Sequence, residues 1–244
     1  MTQYDSISEE YSQMLNPTKK YVTLPSFQKI TPNVKNKSVL DLGCGDGFFT
    51  RLLAKQKPSE IIGVDISQEL INKAVEKENQ HNLHITYLAE DVLKLKLNKK
   101  FNIITSVYLL NYSKTLKELD VMCKVIYSHL NENGTFSFIT LNPSLKPMKD
   151  FEYERRFTNL NGNSFFKDGD QVKCEMNEKG KTPFSFVSYY WSKETYESCL
   201  KKAGFKSIKW IDTIVSQEGI NEYGKEYWKK FLGNPSPIGL ICKK

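Results

Sequence analysis

Residues 38–47 read SVLDLGCGDG. The apolar run at 39–42 is broken by one acid, Asp41, and reads as a strand buried in a parallel sheet. Glycines stand at 43, 45 and 47, and the amphipathic run FFTRLLAKQ begins at Phe48. Strand, glycine-rich turn and helix start together make a nucleotide-type site. Absent side chains let a ligand lie against the backbone, and a helix N-terminus offers free N–H groups. The spacing is DxGxGxG, not the GxGxxG of dinucleotide sites, which disfavours an NAD oxidoreductase.

Outward from that stretch, strands and helices alternate. Residues 61–64 predict a second strand ending at Asp65, with Ser67 as N-cap of a helix over 68–78. An acid at that strand end, about 20 residues past the glycine turn, is placed to accept two ribose hydroxyls. Further strands are expected at 84–88, 101–107 and 135–141, with a helix over 113–130 and a turn at Asn133-Gly134. This pattern predicts a doubly wound, mostly parallel α/β sheet. Ligands bind beyond the carboxyl ends of such strands. The glycine turn, Asp65, Asp91 and residues 106–108 all fall there.

The pattern changes at 143–191, where prolines, aromatics and short alternating runs such as QVKCEM and FSFVSYYW predict an antiparallel β insertion over the site. A helix follows Ser192 and ends at Gly204. Strands at 206–211 and 238–242 flank a short helix at 226–232 and suit an antiparallel edge hairpin. Before the first core strand, residues 4–15 predict a helix with Tyr4 and Tyr11 on one face, and Pro25 and Pro32 punctuate the stretch between that helix and residue 37.

The 244 residues suffice for a full core. Lys and Arg exceed Asp and Glu by 35 to 28, but the excess is scattered as pairs such as Lys19-Lys20 and Lys201-Lys202. That reads as a solvated surface, not a nucleic-acid groove. Five cysteines with no CxxC or Cys/His ligand spacing argue against a disulfide framework or a metal site and for a reducing, cytoplasmic setting. The N-terminus is polar and acidic, unlike a signal peptide, and no run reaches membrane-span length.

VLDLGCGDG, GVDIS, AEDV and the order of strands resemble a class I S-adenosylmethionine-dependent methyltransferase over residues 38–141. The resemblance implies S-adenosyl-L-methionine as cofactor and a Rossmann-like fold. Gly43, Cys44 and Gly45 would back its methionine part, with Asp41 in the same motif. Asp65 would bind ribose beside Ile66, Asp91 would accept from the adenine amino group beside Val92, and Ser106 and Val107 would lie alongside. Flanking segments QYDSISEEY, VYLLNYS, YYWSKETYE, YGKEYW and NPSPIGL are similar to the toxoflavin-biosynthesis type of small-molecule N-methyltransferase. That type closes an N-terminal segment over the cofactor, and Tyr4 and Tyr11 are the matching positions. The implied organisation is a helical lid at 1–37, a cofactor core at 38–142, a cap at 143–191 and a C-terminal helix and edge strands at 192–244.

Methyl transfer from a sulfonium needs alignment and exclusion of water more than acid–base help. Tyr108, Tyr112, Tyr190 and Trp191 are candidates to line the substrate pocket, where aromatic faces favour a cation. His81 and His84 fall at the wrong end of the sheet and His129 ends a helix, so no catalytic base is assigned. The acceptor is expected to be a small molecule, with an amine, a ring nitrogen or an easily ionised group as nucleophile. Two alternatives stay open. A nucleic-acid or protein methyltransferase is disfavoured because SVYLLNYS replaces the [DNS]PP[YFW] element that base amino-group methylation uses. A non-catalytic cofactor-binding subunit is distinguished by turnover of the chain alone.

Overall fold

The computed structural model describes residues 2–14 and 16–244. Seven strands form its central sheet: β1 (Ser38–Leu42), β2 (Glu60–Asp65), β3 (Thr86–Ala89), β4 (Phe101–Val107), β5 (Leu130–Leu141), β9 (Ser207–Ile211) and β10 (Pro237–Lys243). Their order across the sheet is β3-β2-β1-β4-β5-β10-β9. Pairings from β3 to β5 are parallel, while β10 runs antiparallel to both β5 and β9. This is the Rossmann-like, doubly wound sheet with an antiparallel edge that the alternation predicts.

Alternation along each strand feeds two cores. Leu40 and Leu42 of β1 pack with Ile104, Phe136 and Leu240 against α5 (Leu116–Ser128) and α6 (Lys193–Ala203). Val39, Ile103 and Ile139 face the other way, onto Phe27 and Ile30 of α2 (Leu24–Ile30) and Leu53 of α3 (Phe48–Ala54). Leu40 is wholly buried, so truncating it to Ala would cost about 2–5 kcal/mol.

A separate antiparallel sheet, β6 (Arg155–Asn159), β7 (Gln171–Met176) and β8 (Phe184–Tyr189), forms the insertion. Phe157, Cys174 and Met176 pack with Leu141 at the end of β5, which seats this cap over the carboxyl ends of the parallel strands.

Boundaries differ from expectation where turn chemistry decides them. β3 starts at Thr86, because His84 sits at φ +60°, outside the extended range of a strand. α5 starts at Leu116: residues Leu110–Tyr112 form a 3-10 turn, and Thr115 caps the helix by accepting from the Glu118 N–H. β5 begins at Leu130, and the Asn133-Gly134 turn is a bulge within it, with Asn133 at φ +62°. The expected N-terminal helix is a 3-10 turn (Asp5–Ile7) followed by α1 (Ser8–Gln13), and Leu15 lies outside the described residues. Pro25 does not interrupt structure. It occupies the first turn of α2, where a missing N–H costs nothing, and a π-helical turn (Lys19–Thr23) leads into it. One helix unforeseen in the sequence, α7 (Gln217–Tyr223), precedes α8 (Lys225–Leu232). Gly219 obscures it; a Cβ there would stand 2.6 Å from Cβ of Tyr21, so close packing demands glycine.

The helix between β2 and β3 is α4 (Gln68–His81), capped by the Ser67 hydroxyl. No helix of the described residues is long and apolar enough to cross a membrane. All five thiols are free and buried.

Candidate active site

The glycine turn is tethered to β2. The N–H groups of Gly43 and Cys44 both donate to the Val64 carbonyl, at 2.8 and 3.0 Å. Gly43, Gly45 and Gly47 all have positive φ, which L side chains rarely adopt. Beneath the turn, Asp41 accepts from the Thr50 hydroxyl (2.6 Å) and the Thr105 hydroxyl (2.8 Å), tying α3 and β4 to β1. Burial pushes its carboxyl up to about 6 against those two bonds. Asp41 also lines the cavity beside the glycine turn, and its two oxygens, each holding one hydroxyl, position the turn.

Asp65 accepts the Gly45 N–H (2.8 Å) on one oxygen and the Ser67 N–H (2.9 Å) on the other. Each oxygen keeps lone pairs free. Burial raises its carboxyl, opposed by those backbone bonds.

The N-terminal segment lies across these strand ends. Ser67 donates to Asp5 (2.6 Å), and Ser12 donates to Asp46 of the glycine turn (2.9 Å), which Lys77 also contacts. Burial alone would raise Asp46, but Lys77, Lys19 and Ser12 hold it below the ordinary carboxylate range. Toward the cap, the Gln3 side chain exchanges two bonds with the Val187 backbone, each 2.9 Å. Tyr4 packs edge-on to Tyr11 and Tyr112, with centroids 5.0 and 5.7 Å apart, and its hydroxyl meets that of Tyr112. Phe186 of β8 closes the cluster, 5.8 Å from Tyr4.

Two chambers meet at this cluster. Tyr11, Gly43, Gly45, Val107, Tyr108 and Tyr112 line both. The first also holds Asp65, Ile66, Asp91 and Val92. The second runs beneath the cap and holds Cys44, Lys19, Asn111, Arg155, Phe157 and Phe186. Tyr108 enters the shared wall at φ +58°, a left-handed conformation that a bulky residue reaches only under constraint.

Three sequence-based expectations stand apart from the chambers. Ser106 is fully buried inside the sheet and lines neither. Tyr190 donates to the Pro143 carbonyl (2.6 Å) and stacks on Phe166 in the cap. Trp191 lies in the main core, donating to the Ser113 carbonyl at 3.2 Å. Neither aromatic lines a chamber, because the segment after β8 carries both away toward Ser192, the N-cap of α6. No histidine lines either chamber; His129, for one, accepts from the Leu97 N–H. Three acids of the cap have structural partners: Asp168 caps α6 through Ser192 and Thr195, Asp170 accepts from Asn159, and Glu152 pairs with Lys230. Sequence reasoning missed Lys19, Asn111, Arg155 and Phe186 as chamber residues. Asn111 lies inside VYLLNYS and Phe186 inside FSFVSYYW, both stretches already singled out.

A methyltransferase domain family matches residues 39–134. A ubiquinone biosynthesis O-methyltransferase of Coxiella burnetii is 33% identical over 135 residues, covering 54% of this chain and 53% of that protein. The match thus spans about half the length of that curated relative. A malonyl-[acyl-carrier protein] O-methyltransferase of Acetivibrio thermocellus is 23% identical over 90% of this chain and 81% of its own. Among solved structures, an S-adenosylmethionine dependent methyltransferase from Mesorhizobium loti superposes with a TM-score of 0.66 at 20% identity, covering 90% of this chain and 96% of that one. The fold is that of the class I methyltransferases.

Proposed function

We propose that this chain is an enzyme that transfers a methyl group from S-adenosylmethionine to a small molecule held beneath the cap. The observation that carries the reading is the pair of chambers meeting at the glycine turn behind one aromatic wall. The residues fit the cofactor. The cradle at Gly43 and Gly45 presents bare backbone to both chambers, and the Asp65 carboxylate is fixed with lone pairs to spare. Bound there, S-adenosylmethionine supplies an activated methyl group on a good leaving group.

Each protein group then has a defined task. Asp65 accepts from ribose, Asp91 from the adenine amino group, and the turn backs the methionine part beside Tyr11. The rings of Tyr11, Tyr108 and Tyr112 favour positive charge at the junction and exclude water. Burial raises all three phenols, so they stay protonated at neutral pH and do not serve as bases. With no histidine at the chambers, alignment dominates the catalysis. A nucleophile with a ready lone pair suits such a site, which supports a nitrogen acceptor. The toxoflavin-type motifs in the flanks support the same choice, whereas the relatives above are named as O-methyltransferases. In this reading residues 1–37 act as lid, 38–142 as cofactor core and 143–191 as cap.

Thermal melting tests it. S-adenosylhomocysteine should raise the Tm and NAD should not, since a ligand bound only to the native state stabilises it. The purified chain should also methylate a compact acceptor without a partner. A response to NAD with none to S-adenosylhomocysteine would sink the proposal.

A further inference from the structure

Resting on the methyltransferase reading, we infer that the methyl acceptor carries an oxyanion, a carboxylate or a phosphoryl group, and that Arg155 binds it. Arg155 opens β6 and lines the chamber beneath the cap. It is 4% exposed. Its guanidinium lies over the rings of Phe231 (4.6 Å) and Phe157 (5.6 Å), and its buried Nε has no hydrogen-bond partner among the described residues. The charges that act on it most strongly are those of Tyr108, Cys174, Tyr227 and Tyr153, none of them a carboxylate.

An arginine this buried is almost always paired, because an isolated charge is costly to take out of water. The missing partner is therefore a ligand. A planar fork of donors in an aromatic slot suits a carboxylate or phosphoryl oxygen pair better than a neutral group. Asn111 adds a second demand. Asn111 lines the same chamber, and its side-chain oxygen, buried and without a partner among the described residues, calls for a donor on the same molecule. The cofactor has a carboxylate of its own, but the chamber offers it a different cation. Lys19 stands on the glycine-turn side, 4.6 Å above the Phe48 ring and under the attraction of Asp46.

Melting and calorimetry on the full chain saturated with S-adenosylhomocysteine test the assignment. The probes are acetate, benzoate, inorganic phosphate and phenyl phosphate, with benzamide and benzyl alcohol as neutral counterparts. At least one oxyanion should raise the wild-type Tm saturably while its neutral counterpart does not. The carboxylate and phosphate arms identify which oxyanion the slot takes. Arg155→Met should weaken that binding by about thirtyfold or more, with Arg155→Lys intermediate. The unliganded Arg155→Met protein should melt no lower than wild type, since it loses an unpaired buried charge; if it does not fold, Arg155→Gln and Arg155→Lys serve. The inference is overturned if no oxyanion binds wild type, if neutral counterparts bind equally, or if the variants keep the response. It is also overturned if Arg155→Met loses affinity for S-adenosylhomocysteine instead, which would make Arg155 the cofactor's partner. Failure of S-adenosylhomocysteine to bind wild type would reject the methyltransferase reading, and the anion titration is then judged on the free protein.

Discussion

The hydroxyls of Tyr4 and Tyr112 hydrogen-bond to each other across 108 residues of sequence. One sits in the segment before the core, the other in the turn after β4. The bond joins Tyr4, which lines the first chamber, to the wall that both chambers share, and burial raises both phenols. Tyr4→Phe keeps the ring contacts and removes only this bond. It should weaken S-adenosylhomocysteine binding by about 0.5–1.5 kcal/mol, the net worth of one hydrogen bond, with Tm nearly unchanged. Titration calorimetry checks it; identical affinities would mean that the bond is incidental to closure.

Deleting residues 1–13 removes every contact of that segment with Ser67, Asp46 and Val187. Turnover should drop by about tenfold or more, an expectation drawn from lost positioning and water exclusion. The core should still unfold cooperatively, because β1 begins at Ser38. Near-normal kinetics in the truncated protein would show an open groove.

Asp65→Ala should weaken cofactor binding by about 1.5–3 kcal/mol, the range for hydrogen bonds to a charged group. It also frees the Gly45 N–H that Asp65 holds. Unchanged affinity in a folded variant would reduce Asp65 to a partner of Ser67.

Asp41 sets a pH dependence. Its folded carboxyl is pushed up to about 6, chiefly by burial, against about 4 in an unfolded chain. Between those values the folded chain binds more protons, so this group's contribution to stability falls as pH rises through the window. Asp41→Asn should remove that slope, on the order of 2–3 kcal/mol across the two units. Denaturant melts of both proteins from pH 4 to 7 measure it; parallel profiles would refute it.

Gly47→Ala should destabilise by about 1–3 kcal/mol, the cost of a strained backbone conformation. The residue has φ +76°, and its new Cβ would lie 2.8 Å from Cζ of Tyr87. A variant as stable as wild type would show that Tyr87 moves aside freely.

The sheet was legible because its signals are local. Apolar runs leading into the glycine turn, into Asp65 and toward Asp91 mark strand ends, and three alternate glycines mark the turn. The acceptor side was not. Arg155 owes its place to β7 beside it and to Phe231, 76 positions along the chain, so no short window carries its burial. Tyr190 and Trp191 were misplaced for the converse reason. Their composition is that of a pocket wall, but which face they take depends on the turn between β8 and α6. The helix at 217–223 escaped because Gly219 counts against a helix in any propensity scale, while the contact with Tyr21 that requires it is long-range.

Gln3 grips the cap at Val187 while Asp5, two residues on, grips the core at Ser67. One short strap therefore ties the cap to the core, and on the proposed reading it has to loosen before either product leaves. Unsealing, not bond exchange, is then the expected slow step. Turnover should fall as solvent viscosity rises, and S-adenosylhomocysteine should be a potent product inhibitor, retained by the same contacts that keep water out.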